Sequence, residues 1–554
     1  MRIREAIRIA LAPAALCVTF GAPVLAATPT TPIQHVVVLF QENVSFDHYF
    51  GTYPNAQNNA GETTFVAAPM TPTVNGLTQE LLTNNPNKNA AGTAQANPMR
   101  LAPAQAYTCS QNHAYTAEQQ AVDSGLLDLF PKFTGRTASE GCAPDGTTVL
   151  GYYDGNTVTA FWNYAQNFAM NDNSFGSTFG PSTPGAINLI SGQTFGGVMH
   201  FGTGSSGNFF PNTVGVTGTD TGDLDPYLDD CGNDKGGTAT GTSTLQMTGK
   251  NVGDLLNAAG VTWGWFQGGF RPTVAATSTT PAVCGATHAG HPGVPNPVAP
   301  FVTGADIHGP VADYSAHHEP FQYYTSTANP HHLAPSSTAA IGTAADQANH
   351  QYDTVDFFAA LNNGNLPAVS FVKAPAYEDG HPGNSDPTSE QNWIVSTVNQ
   401  IMQSAAWGST AIIIAYDDSD GWYDHVTGPV ISPSQTSIDA FNGSGLCGSP
   451  LSGANPARCG HGPRLPLVVI SPWAIPNYVD HTSTDQASIL KFIETNWNLG
   501  FVDGPTAPSN GQGSFDRYAG SMMGMFNFSA PPSIAPVLLS CNGDYTSVAP
   551  ASCP

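Results

Sequence analysis

Residues 35–43, "HVVVLFQEN", run five apolar side chains straight into a carboxylate and an amide. A short, β-branched, continuously apolar run is the pattern of a strand covered on both faces. Glu42 and Asn43 stand where that strand should stop. They read either as a cap for a following helix or as paired oxygen ligands for a metal.

Three further segments share the pattern: "LPAVSFV" (366–372), "TAIIIAY" (410–416) and "LPLVVIS" (465–471). Together with 35–40 they predict parallel strands with helices between them, an α/β layered domain. Helices are expected at 186–192, 354–362, 388–405 and 484–499. In the last, Ile489, Leu490, Ile493 and Trp497 recur at helical spacing before Gly500, read as the stop. Gly-, Thr-, Asn-, Ser- and Pro-rich stretches near 52–105, 202–310 and 426–462 read as insertions, expected to form a cap over one catalytic domain at 27–554.

In an open α/β sheet a ligand site lies beyond the carboxyl ends of the parallel strands. The run at 410–416 delivers Asp417 and Asp418 to that edge, as 35–40 delivers Glu42 and Asn43. Three carboxylates and an amide oxygen form a hard-oxygen set suited to one divalent ion, with Ca, Mg, Mn, Zn and Fe all open. In "GPSTPG" (180–185), Ser182 and Thr183 sit on a turn before a helix, beside N–H groups that favour phosphate. Ser182 is thus either a nucleophile or an N-cap. His113, His317, His318 and His381 lie in turn-rich loops, where imidazoles can hold a phosphoryl oxygen or protonate a leaving group. The acidic stretch "DTGDLDPYLDDCGND" (220–234) lacks EF-hand spacing and reads as a surface loop. His331-His332 and the group His288, His291 and His308 read as solvated loop residues, with an adventitious metal patch as the alternative. Asp424-His425 could reach the site or merely tie its loop down.

Forty acidic against fifteen basic side chains, a formal charge of −25, leave no cluster to replace the counterions of a phosphate backbone, so nucleic acid is not an expected partner. Residues 1–26 have the basic start, apolar middle and small-residue end of a secretory signal peptide, and the expected location is periplasmic or secreted. No other run is long enough to span a membrane. Eight of the nine cysteines follow this leader, an even number that predicts disulfides; sequence neighbours suggest pairing in order, with about 105 connectivities formally open.

Taken together, "QENVSFDHYFGTYP", "GPSTPG", "HHEPFQYY", "HPGNSDP", "YDDSDGWYDHV" and "GPRLPLVVISPWA" resemble, in order and over about residues 33–500, the bacterial phosphoesterase family of acid phosphatases and metal-dependent, non-hemolytic type phospholipases C. The resemblance implies an alkaline-phosphatase-like core. It further implies Glu42, Asn43, Asp417 and Asp418 as metal ligands, Ser182 as nucleophile through a phosphoserine, and His113, His317, His318 and His381 around the phosphate. Val44 stands where the family has Arg, and Asp418 where many relatives have Glu. Gly185-Ala186 replaces an Asn-Arg pair common in the phospholipases, the leader lacks an Arg-Arg pair, and the chain ends soon after the motifs. These departures favour a phosphate-monoester substrate, with a phospholipid head group as the alternative and a non-catalytic binding protein as a lesser one. Oligomeric state is open.

Overall fold

The computed structural model describes residues 26–139, 141–200, 208–232, 243–291, 308–505 and 513–553. The leader read at 1–26 falls outside them, save its last residue. Among the described residues an eight-stranded sheet forms the centre, with the strand order β4-β3-β5-β1-β6-β7-β2-β8. The strands are β1 (His35–Gln41), β2 (Ala169–Asn171), β3 (Trp263–Gln267), β4 (Gln351–Asp353), β5 (Val369–Lys373), β6 (Thr410–Tyr416), β7 (Leu467–Ile470) and β8 (Tyr478–Asp480). The principal helices are α1 (Phe46–Phe50), α2 (Tyr115–Val122), α3 (Thr159–Asn167), α4 (Ser182–Ser191), α5 (Val252–Ala259), α6 (Thr354–Asn363), α7 (Pro387–Gln403) and α8 (Gln486–Trp497).

The alternation of β1 explains why so apolar a strand lies at the centre. Val37 and Leu39 point to one face and pack with Phe357, Ile394 and Val398 of α6 and α7. Val36, Val38 and Phe40 point to the other and meet Ile187, Leu256 and Ile489 of α4, α5 and α8. Both faces are dry, so neither set of positions tolerates a polar residue.

The mixed α/β architecture with a mainly parallel sheet is as expected, with one correction of direction. β4, β3, β5, β1 and β6 run parallel, but β7 is antiparallel to both β6 and β2. Leu467 pairs with Ala415 and Ile470 with Ile412, so the connection from β6 re-enters the sheet at the edge it left. Burial on both faces determines composition; the connection determines direction. The segment 417–466 therefore stays over the carboxyl edge instead of crossing back beneath the sheet.

Two helix ends also differ from expectation. α4 begins at Ser182, four residues early, because Pro184 falls within the first turn, where a missing N–H costs no helical hydrogen bond. α8 ends at Asn498, whose left-handed φ of 51° supplies the stop assigned to Gly500. The four disulfides join neighbours in sequence order: Cys109–Cys142, Cys231–Cys284, Cys447–Cys459 and Cys541–Cys553. No helix among the described residues is long and apolar enough to cross a membrane.

Candidate active site

β1 ends at Gln41, and the chain turns sharply at Asn43, which adopts φ 64°, a conformation that Asn tolerates better than most residues. Neither Glu42 nor Asn43 caps α1: Ser45 does, accepting the His48 N–H at 3.3 Å. The pair is left for other work. The Asn43 N–H donates to Asp417 Oδ1 at 3.1 Å, and its side-chain amide donates to Asp420 Oδ1 at 3.1 Å, which leaves Asn43 Oδ1 buried and without a partner among the described residues.

Glu42, Asp418 and Ser182 converge. Ser182 Oγ lies 3.2 Å from Glu42 Oε2 and 3.1 Å from Asp418 Oδ2, and its single proton is donated to one of the two. Gly185 makes the approach possible. A Cβ there would lie 2.0 Å from the Asp417 carbonyl oxygen, so α4 can lean on the β6 terminus only because this residue has no side chain. Asp417 is fastened separately. Its Oδ1 accepts the Asn43 and Asp418 N–H groups, and its Oδ2 lies 3.7 Å from Lys373 Nζ.

The four expected histidines do come together. The ring centroids of His317 and His318 are 4.3 Å apart, those of His318 and His381 6.5 Å, and those of His381 and His113 6.3 Å. Each has a different fastening. His318 Nδ1 meets Glu42 Oε1 at 3.0 Å, while its Nε2 has no partner among the described residues. His113 Nδ1 pairs with Asp420 at 3.0 Å, and His317 Nδ1 lies 3.5 Å from Asp225. His381 Nδ1 bonds the Pro382 carbonyl at 2.7 Å.

These fastenings set the charges. Burial drives His318 down to about 3 despite the pull of Glu42, so this ring is neutral across the physiological range. Burial opposes charge on His113 and His317 too, but Asp418 and Asp420 hold His113 well above the ordinary value, and Asp225 and Asp223 raise His317 to about 9. Burial also works against the Glu42 carboxylate, yet the hydrogen bond from His318 and the charge of Lys373 keep it well below the usual range. Asp417 and Asp418 are pushed well above theirs by burial with Glu42 alongside.

Such crowding of buried acids fits a cation. Ser182 Oγ, Glu42 Oε2 and Asp418 Oδ2 are hard oxygens, and the serine oxygen stands from each carboxylate oxygen at a spacing that fits an ion with bonds of roughly 2.2 Å. The orphaned Asn43 Oδ1 is a fourth oxygen donor nearby. A second group, one donor atom each from Glu42, His318 and Asp379, also lies within 4.8 Å of itself.

Several residues of the site escaped the sequence reading. Lys373 ends β5 and its ammonium contacts Glu42 Oε1. It stands one residue beyond the apolar run 366–372, at the edge where ligands were sought. Asp379 precedes His381 by two residues and accepts its N–H at 2.9 Å. Glu118 on α2 is a tie between loops: its Oε2 accepts the Gly180 N–H at 2.9 Å and its Oε1 accepts the Ser419 hydroxyl at 2.6 Å. This joins the turn before Ser182 to the turn after Asp418.

The acidic stretch at 220–234 is not a plain surface loop. Asp223 accepts both the Thr183 N–H at 3.0 Å and its hydroxyl at 3.1 Å, and Asp225 faces His317. Asp229 is buried between the Tyr314 hydroxyl at 2.6 Å and His332 Nε2 at 2.8 Å, so His332 is a core residue and not a solvated one. His291 is buried as well. The charge pattern looked exposed because its basic partners lie far downstream in the chain. Asp424 and His425 prove to be the tie for their loop. Asp47 accepts from His425 Nδ1 at 2.6 Å and from Arg464 at 3.0 Å, and Arg464 also bonds Asp424.

Residues 33–500 match the family model described as "Phosphoesterase family". Curated relatives include "Non-hemolytic phospholipase C" of Burkholderia pseudomallei, 24% identical over 92% of this chain and 61% of that protein. "Phospholipase C A" of Mycobacterium tuberculosis is 24% identical over 91% of this chain and 79% of that protein. "Non-specific phospholipase C3" of Arabidopsis thaliana is 28% identical over 34% of this chain and 35% of its own length. The chain thus spans about three-fifths of the Burkholderia relative, and nearly all of its own core is covered by the match. On the extent of that match, this chain belongs to the Phosphoesterase family.

Proposed function

We propose that the protein is a secreted metal-dependent hydrolase of phosphate monoesters, of the acid phosphatase type, working through a phosphoserine on Ser182. The observation that carries the reading is the placing of Ser182 Oγ between Glu42 Oε2 and Asp418 Oδ2 at the start of α4, beside the cluster of four histidines. Glu42, Asn43 and Asp418 would hold one divalent ion, with Asp417 supporting them through the Asn43 N–H. When bound, such an ion lowers the pKa of a nucleophile and offsets charge on the phosphoryl group.

The residues divide the remaining labour. Ser182 Oγ attacks phosphorus and loses its proton to water, while the bond from phosphorus to the ester oxygen breaks. The positive end of α4 and the charged His113 and His317 face the phosphoryl oxygens. One of these two imidazoliums protonates the departing alkoxide, because His318 is neutral. Water then attacks phosphoserine, releasing phosphate and restoring the Ser182 hydroxyl. An alkaline-phosphatase-like core, and a single catalytic domain capped by its insertions, belong to the same proposal.

A phospholipase C acting on phosphatidylcholine-like diesters is the second reading, favoured by the names of the relatives. Rates on p-nitrophenyl phosphate, bis-p-nitrophenyl phosphate and phosphatidylcholine, each with and without chelator, separate the two. The monoester should be the best substrate, and chelator should abolish its hydrolysis. Ser182→Ala should lower kcat on the monoester by at least about a thousandfold. Full activity in that variant would remove Ser182 from the mechanism.

A further inference from the structure

We infer that the Lys373 ammonium is a built-in cation that takes the place of a second divalent ion, so that this active site holds one metal and not two. The inference rests on the metal-dependent reading above and deepens it.

Glu42 divides the site. Its Oε2 faces Ser182 and the oxygen donors, while its Oε1 faces His318 Nδ1 at 3.0 Å and the Lys373 ammonium. On the Oε1 side, Glu42, His318 and Asp379 converge closely enough to share an ion. Among the described residues, His318 Nε2 and Asp379 Oδ2 are buried and have no hydrogen-bond partner. Two carboxylates and an imidazole are an ordinary donor set for Zn²⁺ or Mn²⁺. The structure places a positive side chain against the same group. Lys373 is 1% exposed, its Nζ also lies 3.7 Å from Asp417 Oδ2, and its stem passes the Phe40 ring, with Nζ 5.4 Å from the centroid.

A fixed ammonium cannot leave with chelator, and it repels a divalent ion entering beside it. It therefore supplies charge to Glu42 and Asp417 and closes the second position. Removing the ammonium while leaving the three donors should open that position.

The test is metal content of the full chain by mass spectrometry after equilibration with Mn²⁺ or Zn²⁺ and gel filtration. Wild type should hold about one equivalent, and Lys373→Ala and the longer, polar Lys373→Gln about two. Two bound Mn²⁺ ions sharing Glu42 should also give a spin-coupled paramagnetic resonance signal that wild type lacks. Lys373→Ala combined with Asp379→Asn should return to about one. Folded single variants that still hold one equivalent, or wild type holding two, would overturn the inference while leaving the phosphoesterase reading intact. Wild type that hydrolyses a monoester with no metal at all would sink the metal-dependent reading, and Lys373's role with it. If both single variants unfold without metal, refolding on addition of Mn²⁺ supports the inference and failure to refold counts against it.

Discussion

His317 and His318 are adjacent and chemically opposite, and the difference comes from what each ring meets. Asp225 and Asp223 keep His317 charged up to about 9, whereas His318 is driven down to about 3 by burial despite Glu42. Activity that depends on the His317 imidazolium should therefore persist through neutral pH and fall as pH rises through about 9. Because the folded value lies above the ordinary 6.5, its contribution to stability is fully present below about 6.5 and is lost as pH rises through the folded value. Asp225→Asn should move the alkaline limb of kcat/KM to lower pH by a unit or more. An unmoved limb would mean that His317 is not the group reporting. Glu118 acts through others. Glu118→Ala should reduce kcat about tenfold or more with little change in KM, and Glu118→Gln, which keeps one acceptor, should restore part of it.

Among the elements, α4 shows packing overruling propensity. A glycine inside a helix costs about 1 kcal/mol relative to alanine, so Gly185→Ala should stabilise an isolated helix. Here the added Cβ would meet a backbone oxygen at 2.0 Å, an atom that cannot swing aside as a side-chain end could. Displacing α4 also moves Ser182. We expect Gly185→Ala to destabilise the protein by about 2–3 kcal/mol in urea unfolding and to depress activity far more than it depresses stability. β7 carries a related lesson. Its apolar composition reported burial correctly, but its antiparallel direction is set by the connection at 417–466, which remains over the carboxyl edge with Asp417, Asp418 and Asp420.

Across the whole molecule, long-range ties hold polar loops against a site built from distant parts of the chain. Cys231–Cys284 closes a loop with a sequence separation of 53, beside the acidic stretch that supplies Asp223 and Asp225. Chain entropy alone assigns such a link about 4 kcal/mol. The Cys231→Ala/Cys284→Ala double variant should lose stability of that order by thermal or urea unfolding. It should also lose activity under conditions where it is still folded, as Asp225 is released from His317. Retained kcat in the folded variant would show that the loop is held by its Asp–His pairs alone.

By itself the sequence determined the strands at 35–40 and 410–416, the delivery of Glu42-Asn43 and Asp417-Asp418 to one edge, and the Ser182 turn. These are local matters, apolar runs and the polar residues that end them, and a strand's end is written in its own residues. The even number of cysteines pointed to disulfides, but their pairing was left open by the sequence and decided by the fold. Half the strands of the sheet were not legible, because β2, β4 and β8 are three residues each and β3, WGWFQ, carries a glycine and no β-branched residue. Only the tertiary structure decided that Lys373 meets Glu42, that Asp225 faces His317 and that Asp229 is buried on His332. Each is a pairing of opposite charges between residues far apart in the chain. A lone acid or lysine in sequence looks solvated; the fold supplies the partner that allows its burial.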